Sequence, residues 1–196
     1  MIKMQMFPLD VCLLPGERLP LHIFENRYKE LIQSCLNAGE TFGIPFGLDE
    51  ETRQIGAEVR VKKVLNTNED GSLDIIVESV GSFNILDYRP EMDHQSCDTA
   101  LVEEVEIEQL ISRNSGLLSL YLDFRKEYFK VDELKLSFED QNLIIMARSC
   151  GLSRNQKIRF LQSDTKTKEA ILVHQLEYLL FIMEQDKRRE FDILLN

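Results

Sequence analysis

The apolar residues change period along the chain. From Asn26, residues Tyr28, Leu31, Ile32, Cys35 and Leu36 recur at i, i+3, i+4, i+7 and i+8, which predicts a one-faced helix with Gly39 as its left-handed stop. From Phe42 to about Ile107 the period shortens. "IGAEVRVKKVL" (55–65) alternates, "NEDG" (68–71) signals a turn, "LDIIVESVGSFNILDY" (73–88) reads as two strands broken at Gly81, and "ALVEEVEI" (100–107) alternates again. Beyond Gln109 the helical period returns and stays. Leu117, Tyr121, Phe124 and Tyr128 form one stripe, with Leu118, Leu122 and Phe129 beside it. Ser137 with Asp140, and Ser153 with Gln156, carry the spacing of capping boxes, the second just after Gly151 could end the preceding helix. A last helix is expected over about 166–187, with Leu172, Leu176, Leu179 and Met183 on one face and Ile171 and Leu180 adjoining.

This pattern predicts an α+β chain in two parts: a β-rich subdomain over 1–108 with one inserted helix, and a bundle of about four helices over 109–196. The stretch before the first helix, "FPLDVCLLPGERLPLHIFE" (7–25), reads as strand, turn, strand, helix. Pro15 and Gly16 make the turn, and Pro20 holds Leu19 extended. The connector 89–99, "RPEMDHQSCDT", is the most polar and is expected to be mobile.

Charge adds a second asymmetry. The net charge of −11 is carried by the front part: residues 1–108 hold 9 basic and 21 acidic side chains, residues 109–196 hold 14 and 13. An acidic front part repels phosphate backbones, so no nucleic-acid partner is expected. No run of 18 apolar residues suggests a membrane span, the first residues lack the form of a secretory signal, and the widely spaced Cys12, Cys35, Cys97 and Cys150 fit a reducing cytoplasm better than a disulfide scaffold.

Candidate chemistry is sparse. Cys12 and His22 are possible as nucleophile and base, but their spacing says nothing of a hydrogen bond between them, and a Cys among apolar residues is ordinarily a packed one. Asp93, His94, Cys97 and Asp98 make half a metal site with no second cluster to complete it. His174 reads as a surface or boundary residue of the last helix. "KRR" at 187–189 sits near that helix's expected C-terminus, where positive charge complements the dipole. None of the nine glycines precedes a lysine, so there is no P-loop, and there is no G-x-S-x-G elbow. The expectation is no catalytic residue, no metal site and no cofactor, with His22, Glu25, Arg27 and Tyr28 structural at the first helix start.

The motifs "FPL" (7–9), "LLPGERLPLHIFENRY" (13–28), "FGI" (42–44), "IGAEVRV" (55–61) and "DGSLDIIVESVGSFNIL" (70–86) together resemble the amino-terminal substrate-recognition domain of Lon proteases, a module also found free-standing. "KIRFLQSDTKTKEAILVHQLEYL" (157–179) is similar to that domain's closing segment, with lysine or alanine where the family usually has arginine. The resemblance implies a PUA-like β pseudo-barrel followed by a helical bundle. It also implies a non-catalytic module, without ATPase or peptidase domains, that recognises unfolded or partly folded polypeptide. No binding residue is assigned by it, and the oligomeric state stays open. The alternative is a small-ligand receptor or enzyme using the cleft between the two subdomains. If polypeptide is the partner, the acidic front part predicts a preference for basic segments.

Overall fold

In the computed structural model, which describes residues 1–47, 54–92, 96–105, 110–131 and 133–194, the chain divides into two compact units, Met1–Ile107 and Glu108–Asn196. The first is built on one antiparallel sheet. Its strands are β1 (Ile2–Gln5), β2 (Arg18–Ile23), β3 (Phe42–Pro45), β4 (Ile55–Thr67), β5 (Leu73–Arg89) and β6 (Thr99–Glu104), and helix α1 (Asn26–Ala38) lies between β2 and β3. The order is β1-β6-β5-β4-β3, with β2 on the first half of β5. Where β1 ends, Met6 bridges Gly43 and Leu9 bridges Phe46. The Phe7 amide donates to the Gly43 carbonyl at 2.8 Å.

The β5 strand organises this unit. Residues 73–78 pair with β2, residues 83–89 pair with β6, and β4 follows on the other side from Leu73 to Asn84. The expected break at Gly81 is instead a register shift inside one continuous strand: Ser79 faces Val59, Gly81 faces Glu58, and Val80 is left without a rung. A bulge of this kind bends a strand while keeping its ladder, which lets one strand serve two partners. The first strand also lies earlier than the motif suggested, at 2–5, while 7–14 runs as irregular chain held by the two bridges.

The core fills with Met6, Phe42, Ile44, Phe46, Ile55, Val59, Ile75, Val77, Phe83 and Val102. Glycine matters at two places in it. A Cβ on Gly56 would fall 2.5 Å from the Phe83 ring, and one on Gly43 would fall 2.4 Å from the Met6 sulfur. The Phe83 ring of β5 therefore occupies space that a side chain at Gly56 on β4 or at Gly43 on β3 would need.

The second unit contains α2 (Ser115–Phe129), α3 (Leu143–Ser149), α4 (Arg154–Gln162) and α5 (Thr165–Leu194). Asn114 caps α2 by accepting from the Leu117 amide at 3.2 Å. The Ser153–Gln156 capping box forms as expected. The Ser137–Asp140 pair also bonds reciprocally, but it opens only a single 3₁₀ turn at Glu139–Gln141. Helix α3 starts afterwards, capped by Asn142. The last helix outruns its expected end and reaches Leu194, so "KRR" lies within it rather than at its dipole end. There Lys187 pairs with Glu127 and Arg188 with Glu184. The stripe on α2 is buried at Leu117, Tyr121 and Phe124, whereas Tyr128, expected in the same stripe, is 62% exposed.

Candidate functional site

The residues singled out for chemistry do not assemble. His22 Nδ1 lies 2.7 Å from Asp74 Oδ1, its partner across the β2–β5 ladder, so the ring ties strand to strand and does not lock β2 to α1 as expected. Cys12 is a buried residue. Burial pushes the Cys35 and Cys97 thiols up to about 11 and Cys150 to about 12, the opposite of what a thiolate nucleophile requires. Cys97 instead donates from its sulfur to the Arg27 carbonyl at 3.4 Å. Asp98 accepts from the Tyr88 hydroxyl at 2.5 Å and from the Glu91 amide at 3.0 Å, so the far end of the polar connector is tied to its start. Asp93 and His94 lie outside the described residues. Among the described residues no group of three or more His, Cys, Asp or Glu side chains could hold a metal ion. No helix among them is long and apolar enough to cross a membrane.

The start of α1 is a structural knot. Glu25 occupies the cap position, and its carbonyl accepts from the Tyr28 and Lys29 amides, while its carboxylate takes the Arg27 guanidinium. Burial works against the Arg27 charge, yet Glu25, Tyr28 and Asp98 together hold its pKa above the ordinary value. The guanidinium stands 4.6 Å over the Tyr28 ring, which packs 4.1 Å from the Phe7 ring. The "FPL" and "ENRY" segments of the motif thus meet through their aromatic rings.

A second charged cluster was not foreseen. Glu78 on β5 faces Arg18 on β2 and Arg60 on β4 in register, and Lys62, which falls in a β4 register shift, reaches the same carboxylate. All three contacts are 3.0 Å. Hydrogen bonds from Arg60, Lys62 and Arg18 hold the Glu78 carboxyl at about 2. Its partners are far apart in sequence, so only the strand register brings them together.

The exposed aromatic surface lies elsewhere. Among the described residues Phe24 is the exposed aromatic of the β unit, while Tyr128, Phe129, Phe138, Tyr178 and Phe181 are exposed in the helical unit. A ladder of rings leads out of the bundle: Tyr121 to Phe124 at 6.4 Å, Phe124 to Tyr128 at 5.8 Å, Tyr128 to Phe129 at 5.2 Å. Tyr121 fixes its inner end by a 3.0 Å bond between its hydroxyl and that of Ser149. Tyr128 borders two open clefts, one of about 770 Å³ reaching Val131 and Met183 and one of about 360 Å³ reaching Ile145 and Arg148.

The comparison with known families agrees with the architecture. The model of the ATP-dependent protease La (LON) substrate-binding domain matches residues 3–182. The chain belongs to this family. Its fold is similar to that of a Lon N-terminal domain protein from Xanthomonas campestris, with a TM-score of 0.68 at 24% identity over 92% of this chain and 98% of that one. It is also similar to the N-terminal domain of Mycobacterium avium complex Lon protease, with a TM-score of 0.62 at 14% identity over 90% of this chain and 98% of that one. At these identities the likeness is one of fold, and it spans both the β unit and the helical unit of this Lon-family chain.

Proposed function

We propose that this chain is a non-catalytic recognition module that binds unfolded or partly folded polypeptide through exposed apolar surface. The observation that carries the reading is membership of the Lon substrate-binding family across residues 3–182. It is supported by the run of exposed rings at the end of α2 and by thiols whose pKa values are raised away from reactivity. The sheet is read as a PUA-like pseudo-barrel, a reading supported by the Met6–Gly43 and Leu9–Phe46 bridges between the two ends of the strand order. The free, buried cysteines support a reducing, cytoplasmic setting.

Contacts of modest apolar area give weak and promiscuous binding, because ordering a flexible chain offsets much of the gain. Affinity for generic unfolded clients is therefore expected to be micromolar, on the order of −8 kcal/mol. The test is titration of a labelled, permanently unfolded carboxymethylated protein by anisotropy, alongside ATPase and casein-degradation assays. Saturable micromolar binding with neither activity supports the reading. Absence of binding to any unfolded chain, or turnover in either assay, overturns it.

A further inference from the structure

The two clefts beside Tyr128 carry a charge pattern opposite to that of the β unit. Of the ionisable side chains lining them, Lys187 is paired with Glu127 and Arg125 with Asp140. Lys126, Lys130 and Arg148 have no ion-pair partner among the described residues, against a single unpaired carboxylate, Asp186. These cations stand around Tyr128 and Phe129, which is 55% exposed. The clefts therefore join apolar rings with uncompensated positive charge.

A backbone feature points to the same place. Lys130 follows the last turn of α2 with φ 54°, and among the described residues it is the one non-glycine with positive φ. Its amide donates to the Lys126 carbonyl and closes the helix. Glycine would make this cap without a Cβ penalty. Lysine in its place sets a long cation at the mouth of the larger cleft, which it lines, and strain at such positions gathers where a side chain has a use.

Resting on the reading of this chain as a polypeptide-binding module, we propose that the surface around Tyr128, Phe129, Lys126, Lys130 and Arg148 is the docking site, and that its occupant is an extended polypeptide segment in which acidic residues flank aromatic or aliphatic ones. The apolar side chains lie against the rings, and the carboxylates meet the unpaired cations. This reverses the preference for basic segments that the net charge of the front part predicts. The local charge around the apolar contact governs the choice, because at ordinary salt the screening length is about 10 Å and charges in direct contact are screened least.

The experiment compares fluorescein-labelled unstructured peptides that share one apolar core and differ only in acidic or basic flanks, at low and high salt. The acidic peptide is expected to bind the wild-type chain about tenfold tighter at low salt, with the margin shrinking as salt rises. Tyr128→Ala should weaken both peptides, and Lys126→Glu with Lys130→Glu should reverse the preference. Arg148→Glu, on a different helix, should reduce it as well and keeps the test independent of the folding of α2. The reversals set carboxylates in the last turn or cap of a helix, so a small drop in thermal stability is expected for them, and binding is compared well below every melting temperature. The carboxymethylated protein is titrated in parallel. If it binds all variants equally and the peptides show no acidic preference, the site is wrong while the recognition reading stands; if it fails to bind even the wild type, both fall. A chain that dimerises in sedimentation and loses its dimer with Tyr128→Ala assigns the surface to a second copy and overturns the proposal.

Discussion

The guanidinium of Arg27 turns back on the carboxylate of Glu25, with Nε at 2.9 Å and Nη2 at 2.8 Å from the same oxygen. With its carbonyl held by Cys97 and its plane over Tyr28, Arg27 joins the start of α1 to Cys97 in the connector ahead of β6. Its side chain is only 17% exposed, against 42% for Glu25, so truncation removes a mostly buried stem and its ring contact together with a partly solvated ion pair. Arg27→Ala should lower stability by about 1–3 kcal/mol, read as a shift in the urea midpoint. Arg27→Lys should recover only part of it, because an ammonium does not reproduce the planar fork. An unchanged midpoint in Arg27→Ala, with peptide binding lost, would make the residue a binding group instead.

Gly56 and Phe83 cannot both carry full side chains. The 2.5 Å approach of a Gly56 Cβ to the ring forces the ring or the β4 backbone to move. Gly56→Ala should cost about 1–3 kcal/mol, the usual range for overpacking a filled core. Adding Phe83→Leu to Gly56→Ala should then cost less than Phe83→Leu alone, and a double-mutant cycle in urea measures that coupling. Additive single effects would show that the strands accommodate the methyl group by another route.

Glu78 makes the stability of the β unit depend on acid. Its carboxyl is held at about 2, below the ordinary value of 4.5, chiefly by the hydrogen bonds from Arg60, Lys62 and Arg18. A folded pKa depressed below the unfolded one contributes stability that is fully present above the unfolded value and is lost as pH falls through the folded value. The window is therefore about pH 4.5 down to about 2. Glu78→Gln should be less stable than wild type at neutral pH, and the gap in denaturation midpoint should close across that window. A gap that persists unchanged at pH 2 would assign the loss to packing.

Much of this architecture was legible because each signal was local. Gly39 ended α1 with φ 69° and its amide on Cys35, and Ser153 with Gln156 opened α4, since caps are settled within one helical turn. Gly81 misled because a glycine that breaks a strand and one that carries a bulge look alike in sequence, and the outcome rests on β2, β4 and β6 all pairing with β5. Ser137 with Asp140 formed its box and still nucleated only one turn, as Asn142 offered a second cap with the apolar run "LIIM" directly behind it. The proposed docking surface was hidden for a related reason. Tyr128 keeps the helical period of the buried stripe, and period alone cannot say where the packing partner stops. The two adjacent aromatics followed by a basic and an aliphatic residue in "EYFKV" (127–131) were the signal available.

The cysteines should be inert in the native chain. Burial raises Cys35, Cys97 and Cys150 to values between about 11 and about 12, which leaves a negligible thiolate fraction at neutral pH. Titration with a chromogenic disulfide should find four thiols in denaturant and slow, opening-limited reaction without it. If one of these three reacted in the folded protein at the rate of a free thiol, the case against cysteine chemistry would have to be reopened.

Lys130 separates stability from function in one substitution. In the left-handed region a Cβ crowds the following carbonyl, at a cost of roughly 1–2 kcal/mol that glycine avoids. Part of the gain from Lys130→Gly is returned, because glycine loses more backbone freedom on folding. The net expectation is a helical unit more stable by about 0.5–1 kcal/mol. The same change removes one of the unpaired cations lining the larger cleft, so affinity for the acidic peptide should fall while affinity for the basic one stays level or rises. Lys130→Asn tolerates the left-handed turn but also lacks the charge; it should therefore match Lys130→Gly in binding while gaining less in stability. Melting and peptide titration on the three proteins separate the outcomes. A Lys130→Gly chain that is more stable and binds the acidic peptide as tightly as wild type would leave the strained lysine without a role in recognition, and the acidic preference would then rest on Lys126 and Arg148.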